Sequence, residues 1–165
     1  MAAPTLGSCP GRCCGTSLYT ACMDDLAPTP HEPYQSLLAA AVASHTAGDH
    51  KVAVILAQTA VELFTAKVLA GLYRQRQVEY LKGPFEHLLI NYNIGNSKVS
   101  ELYMALSGDE INQAPFWSRF TDHVQLRNNL VHDGQDATAV QAAASLAAVN
   151  QLIDHIQTFH NGQIS

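Results

Sequence analysis

Residues 50–77 are the part of the chain that most limits how it can fold. Apolar side chains recur there at helical spacing, and they cover more than one face of the predicted helix. A helix that is apolar around so much of its circumference must pack against several neighbours at once. The segment therefore predicts a central core helix surrounded by other helices.

Polar side chains interrupt the apolar stretch at residues 52–72, where Gln58, Glu62 and Lys67 stand, and this argues against a membrane span. The first residues contain no apolar segment of signal-peptide length. The 165-residue chain has a formal net charge of −5, so any contact with nucleic acid is expected to be local rather than a broad electrostatic coating. We expect a cytoplasmic protein with no membrane partner.

Three further segments have the spacing of long helices, at residues 32–46, 115–132 and 137–159. A short helix is predicted within FEHLLINYNI, and another follows Ser97, which is expected to cap KVSELYMAL. No pattern typical of a β-strand is present. The sequence thus predicts an all-α fold, an up-down four-helix bundle with a short helical insertion between the second and third long helices.

Helix ends can be assigned from turn-forming residues. Gly48 is expected to end the first helix and Asp49 to cap the second, while residues 82–84, KGP, break the second. Pro115 suits the first turn of the third long helix, and Gly134 ends it.

All four cysteines, Cys9, Cys13, Cys14 and Cys22, fall in the first part of the chain. A zinc knuckle or a disulfide clip is one interpretation, but paired C-x-x-C arms and a nearby histidine are missing. We favour a flexible leader at residues 1–30, rich in cysteine and proline, followed by a helical domain at residues 31–161.

The segment RNNLVHDG at residues 127–134 holds the residues best suited to chemistry. A histidine in the last turn of a helix has its protonated form favoured, so His132 can exchange a proton near neutral pH. Arg127 is permanently charged, and its donors match phosphate oxygens. On an ideal helix these two side chains lie about 140° apart, and Asn128 lies within about 40° of His132.

A fixed cation beside a proton carrier meets the needs of phosphodiester cleavage by an internal hydroxyl. Arg127 would steady the charged transition state and His132 would move a proton, with no metal or cofactor required. A symmetric dimer that apposes two such helices would bring the groups together. The alternatives are that Arg127 pairs with an acidic residue and that His132 only caps its helix.

Two residues elsewhere are candidates for a supporting role. Glu62, on the central helix, would orient Arg127 across the bundle, or it is an acid at a partly exposed edge. His123, one turn before Arg127, would widen the cleft, although a solvated surface histidine is the favoured interpretation. His155 and His160 are expected to face solvent.

The motif and its surroundings resemble the HEPN superfamily. Its signature is an arginine, four to six residues, and a histidine, with a polar residue directly after the arginine; Arg127, Asn128 and His132 match it. The central helix AVILAQTAVELFTAKVLAGLY and the segments ELYMALSGDEI and FWSRFTDHVQLRNNLVHDG resemble such domains as well. The likeness covers residues 32–160 and leaves the leader outside.

This resemblance implies a homodimer in which the motif-bearing helices of both chains line one cleft. It implies a metal-independent endoribonuclease of a prokaryotic toxin–antitoxin or defence system, with RNA as substrate and an antitoxin or sensor protein as partner. Arg127 and His132 would be catalytic, and Asn128 would orient one of them. Toxins silenced by a nucleotidyltransferase often have a tyrosine where Gly134 stands, which disfavours that pairing. A catalytically inactive HEPN module for dimerisation and for partner or nucleotide binding is the alternative.

Overall fold

The computed structural model describes residues 32–84 and 92–162. The chain divides into a unit from Met1 to Pro30 and a unit from His31 to Ser165, and everything below concerns the second. The leader with its cysteines lies outside the described residues. Residues 85–91, the main part of the short helix predicted after residue 84, also lie outside the described residues.

The described part of the chain is helical. Its α-helices are α1 (Pro33–Thr46), α2 (His50–Gln75), α3 (Ser97–Ser107), α4 (Trp117–His132) and α5 (Ala139–Gly162), with 3₁₀ turns at Glu79–Leu81 and Ile111–Gln113. Residues 82–84 are helical too, and no β-strand occurs in 32–84 or 92–162. The all-α prediction is confirmed.

The turn between α1 and α2 depends on Gly48, as predicted. Its φ is 91°, a left-handed conformation that costs glycine least. The N–H of Gly48 donates to His45 O at 3.1 Å, and the N–H of Asp49 donates to Ser44 O at 2.9 Å. This pair of bonds closes a Schellman motif and satisfies carbonyls at the end of α1. Asp49 is the N-cap residue of α2, although its side chain makes no capping bond.

The end of α2 comes earlier than residues 82–84. Gln77 adopts a left-handed φ of 57°, and its N–H donates to Arg74 O at 3.1 Å. The N–H of Val78 donates to Tyr73 O at 2.9 Å, which completes a second Schellman motif. A glutamine therefore occupies the position that sequence patterns reserve for glycine, and α2 ends at Gln75, two residues before the end predicted at about Gln77.

Two helix starts also differ from expectation by one or two residues. Asn96, rather than Ser97, caps α3, because its side chain accepts a hydrogen bond from the N–H of Lys98 at 3.0 Å. Pro115 lies before α4, which begins at Trp117. Ser97 and Pro115 are both residue types suited to a helix start, but the backbone conformation of the adjacent residues places each start one or two positions away.

The core forms where α2 meets its neighbours. α1 and α5 both pack on α2, and α4 packs on α5 and on α2. A broad buried band on α2 supports its predicted central place: Ala53, Val54, Ala57, Gln58, Ala60, Val61, Phe64, Thr65, Leu69, Leu72 and Tyr73. The aromatic rings of Phe116 and Phe120 are buried in the same core.

The length and apolar composition of α2 bear on the prediction that it does not span a membrane. By length and composition alone α2 is able to cross a membrane, so its three polar residues do not exclude a span. Half of its most apolar window is buried inside the fold, which is what the core helix of a soluble protein also shows. Burial, rather than composition, therefore favours a core helix.

Replacement of Gly71 and of Gly48 by alanine is expected to change the free energy of unfolding in opposite directions. Gly71 lies inside α2, and a Cβ there meets no atom within 4 Å, so Gly71→Ala should raise the free energy of unfolding by about 0.5–1 kcal/mol. Gly48→Ala should lower it by about 1 kcal/mol, because an L-residue disfavours the left-handed φ. Urea denaturation of the two variants measures both changes; shifts of the same sign would contradict this account of the turn.

Candidate functional site

The motif helix α4 ends as the Asp-Gly pair predicts. Asp133 is its C-cap residue, and the N–H of Asp133 donates to Asn129 O at 3.0 Å. Gly134 follows with a φ of 67°. His132 is exposed in the last turn of the helix.

Arg127 is half-buried and has no carboxylate partner among the described residues. Its Nη1 donates to Asn128 Oδ1 at 3.2 Å. Its Nε is buried and has no acceptor in the described part of the chain. The alternative of a structural ion pair is therefore wrong for the described residues. A buried, charged donor without an acceptor costs free energy in an empty site, and an incoming anion would satisfy it.

The chain brings Arg127 and Asn128 together but does not bring His132 to them. α4 is continuous through the motif, so Arg127 and His132 keep their separation of about 140° around the axis. No hydrogen bond joins the two side chains within residues 92–162. Asn128 bonds the arginine, so it orients Arg127 rather than His132.

His123 is buried, with 2 % of its surface exposed, so the prediction of a solvated surface histidine was wrong. Its Nδ1 hydrogen bonds Ser145 Oγ on α5, and its Nε2 lies 3.1 Å from Gln58 Oε1 on α2. A helical wheel cannot reveal this, because burial depends on which neighbouring helices supply polar partners. Both of its ring nitrogens are hydrogen bonded inside the core, and its ring lines a shallow pocket with Leu126 and Ser145.

Glu62 is half-buried and accepts a hydrogen bond from Gln58 Nε2 at 2.9 Å. No described contact joins it to Arg127, so it does not orient the arginine directly. It is instead the outer end of a chain of polar groups that continues through Gln58 and His123 to Ser145. Sequence reasoning overlooked Gln58 and Ser145. The signal available was a polar residue on the apolar face of α2 one turn before Glu62.

The hydrogen bonds fix the tautomer of His123. Gln58 directs its amide nitrogen to Glu62, so its oxygen faces His123 and can only accept. His123 therefore carries its proton on Nε2, and its Nδ1 accepts from the Ser145 hydroxyl. Burial, and then the positive charge of Arg127, lower the pKa of His123 from 6.5 to about 4. At neutral pH the ring is uncharged, with Arg127 the charged group near it.

A second polar cluster joins α3, α5 and the loop after α3. Asp109, 5 % exposed, accepts from Tyr103 Oη at 2.8 Å and from His155 Nε2 at 3.0 Å. Burial and then Asp109 raise the pKa of Tyr103 far above its usual range. His155 and His160 are half-buried rather than solvent-facing, and burial lowers the pKa of His160. The carboxylate of Asp109 is therefore bonded within the cluster, whereas the buried Nε2 of His160 has no hydrogen-bond partner among the described residues.

The arrangement at Arg127 offers a site for an anion. Among residues 32–84 and 92–162, no three histidine, cysteine, aspartate or glutamate side chains lie close enough together to hold a metal ion. Arg127 and Asn128 instead provide a fixed cation whose guanidinium is held by an amide oxygen, and His132 follows five residues later on a different face of the helix. No protein-family model, curated protein or solved structure matches this chain.

Acid should destabilise the protein through His123. The fold lowers the pKa of His123 to about 4. Between pH 6.5 and pH 4 this histidine is therefore mostly protonated in the unfolded chain and mostly neutral in the folded chain. The stabilisation is therefore complete above pH 6.5 and is lost as the pH falls toward 4, by up to about 3 kcal/mol.

Urea denaturation of the wild type and of His123→Gln at several pH values between 7.5 and 4.5 measures this effect. The variant should show a smaller loss of stability on acidification, whatever its stability at pH 7.5. His160 is present in both proteins and cancels in the comparison. An equal loss of unfolding free energy in the two proteins would show that the pKa of His123 is not lowered by the fold.

Proposed function

We propose that this protein is a metal-independent endoribonuclease of HEPN type and that α1, α2, α4 and α5 form an up-down four-helix bundle. The packing of α1 and α5 on α2, and of α4 on α5, supports that bundle. The observation that carries the functional proposal is the guanidinium of Arg127, charged and half-buried, with an Nε that lacks an acceptor in the described chain. Phosphate oxygens fit this donor geometry.

Each motif residue has a distinct task in RNA cleavage. The 2′-hydroxyl oxygen attacks the adjacent phosphorus and forms a 2′,3′-cyclic phosphate, while the bond from phosphorus to the 5′ oxygen breaks and that oxygen gains a proton. Arg127 stabilises the negative charge that builds on the phosphoryl oxygens. His132 transfers the proton at the 2′ or the 5′ oxygen. Asn128 holds the guanidinium by its hydrogen bond to Nη1.

Completion of the site requires a second copy of the chain. One chain leaves Arg127 and His132 about 140° apart on α4, so His132 of one protomer would act with Arg127 of its partner across a shared cleft. Two exposed apolar side chains support contact at this end of the fold. Val131 is 46 % exposed directly before His132, and Val140, early in α5, is 79 % exposed.

The setting we propose is a cytoplasmic toxin–antitoxin or defence system in which an antitoxin or sensor protein restrains the nuclease. The second candidate is a catalytically inactive HEPN module that dimerises and binds a partner or a nucleotide. Exposed carboxylates beside the motif favour this second candidate, because Asp133 and Asp136 follow His132 and repel an RNA backbone. The net charge of −5 points in the same direction.

Cleavage of single-stranded RNA in EDTA tests the proposal. We expect wild-type protein to produce fragments with cyclic phosphate ends, and His132→Ala to be slower by about 10²- to 10⁴-fold, since general acid–base groups contribute that much. Arg127→Gln should lose activity similarly. Arg119→Gln removes an exposed arginine from the same helix and should retain nearly full activity.

Sedimentation of the wild type checks the dimer in the same samples. Equal inactivity of wild type and His132→Ala at high enzyme concentration, in a protein that sediments as a dimer and binds RNA, would reject the nuclease and favour the inactive module. A strict monomer that cleaves RNA in EDTA would instead reject the shared cleft.

A further inference from the structure

A chain of buried hydrogen bonds crosses three helices beside Arg127. It begins at Glu62 and Gln58 on α2, passes through His123 on α4 and ends at Ser145 on α5. Gln58, His123 and Ser145 are 1 %, 2 % and 3 % exposed, so the two bonds of His123 are shielded from water, whereas the bond from Gln58 to Glu62 is only partly buried. His123 stands one helical turn before Arg127, on the same side of α4.

We propose that this polar chain is a positioning device for Arg127: it fixes the rotation of α4 and leaves the Nε of the guanidinium without an internal acceptor. The inference rests on the proposed function, in which that guanidinium binds the scissile phosphate. Glu62, Gln58, His123 and Ser145 touch no substrate in this scheme. They act through Arg127.

The first half of the device is mechanical. His123 is held from opposite sides, by Gln58 on α2 and by Ser145 on α5. Rotation of α4 about its axis in either direction would stretch one of the two bonds and leave a buried polar group unpaired. Arg127 leaves the same helix one turn later, so the direction in which its side chain emerges is set by these two bonds.

The second half is electrostatic. The ring nitrogens of His123 are both committed, and the oxygen of Gln58 already accepts from His123. Glu62 is the only carboxylate among these four hydrogen-bonded residues, and it accepts from the Gln58 amide instead of from Arg127. The polar groups of this chain therefore satisfy one another, and none of them accepts a hydrogen bond from the buried Nε of Arg127.

The test compares variants that remove the polar chain with one that leaves it intact. A triple variant, Gln58→Met, His123→Phe and Ser145→Ala, replaces the bonded groups by apolar groups of similar size, an exchange that folded proteins tolerate better than the loss of one partner. Ser145→Ala alone is the milder variant and removes a single hydroxyl. Thr65→Val is the matched control, because Thr65 is buried on the same face of α2 and its Oγ1 makes no hydrogen bond in the described chain.

Two measurements on the full chain separate this inference from the proposed function. The first is ¹⁵N relaxation of the Arg127 Nε–H group without RNA. We expect an ordered guanidinium in the wild type and in Thr65→Val, and increased motion in the Ser145→Ala and triple variants. A guanidinium that stays equally ordered in the folded variants would overturn the positioning role, whether or not the protein cleaves RNA.

The second measurement is the affinity for a single-stranded RNA whose 2′-O-methyl groups block cleavage. Loss of one well-placed charge-assisted hydrogen bond should weaken binding by about tenfold in the triple variant. Thr65→Val should bind as the wild type does. Increased motion of Arg127 with unchanged RNA affinity would support the positioning device and reject Arg127 as a phosphate ligand, so the two proposals fail separately.

Discussion

The two hydrogen bonds of His123 are the interaction on which the organisation of this fold around Arg127 depends. A buried imidazole is costly unless both nitrogens find partners, and here α2 and α5 supply one each. These two bonds favour one relative rotation of the three helices at this level. The apolar side chains around them supply most of the driving force for folding, and the polar bonds select which of the tightly packed arrangements forms.

A few buried polar atoms lack a hydrogen-bond partner among the described residues, and Nε of Arg127 is one of them. Where His123 is fully bonded, Arg127 a turn later keeps a buried Nε without an acceptor in the described chain. Proteins usually pair such a charge with a carboxylate, and the sequence offered Glu62 as a candidate. It is bonded to Gln58 instead. The described fold thus leaves the Nε of a charged side chain without an internal acceptor, and the proposed function assigns this group to an RNA phosphate.

The cluster around Asp109 shows the contrasting case. There a buried carboxylate receives hydrogen bonds from Tyr103 and His155, so the charge is met within the fold. These bonds tie the loop after α3 to α5, far along the chain from the motif. Both clusters contain a histidine and both join separate helices. Each cluster also adjoins a buried nitrogen without a hydrogen-bond partner in the described residues, the charged Nε of Arg127 in one and Nε2 of His160 in the other.

The sequence by itself determined the helical class, the central place of α2 and the turns at Gly48 and Gly134, because periodicity and glycine conformation are local properties of the chain. It also singled out Arg127 and His132 by type and spacing. It misjudged the ends set by Asn96 and Gln77, since competing backbone conformations there differ by little free energy. Tertiary structure alone decided that His123 is buried, that Glu62 bonds Gln58 and that Ser145 completes the chain. Those facts depend on which residues of distant segments come within hydrogen-bonding distance, and a helical wheel contains no information about its neighbours.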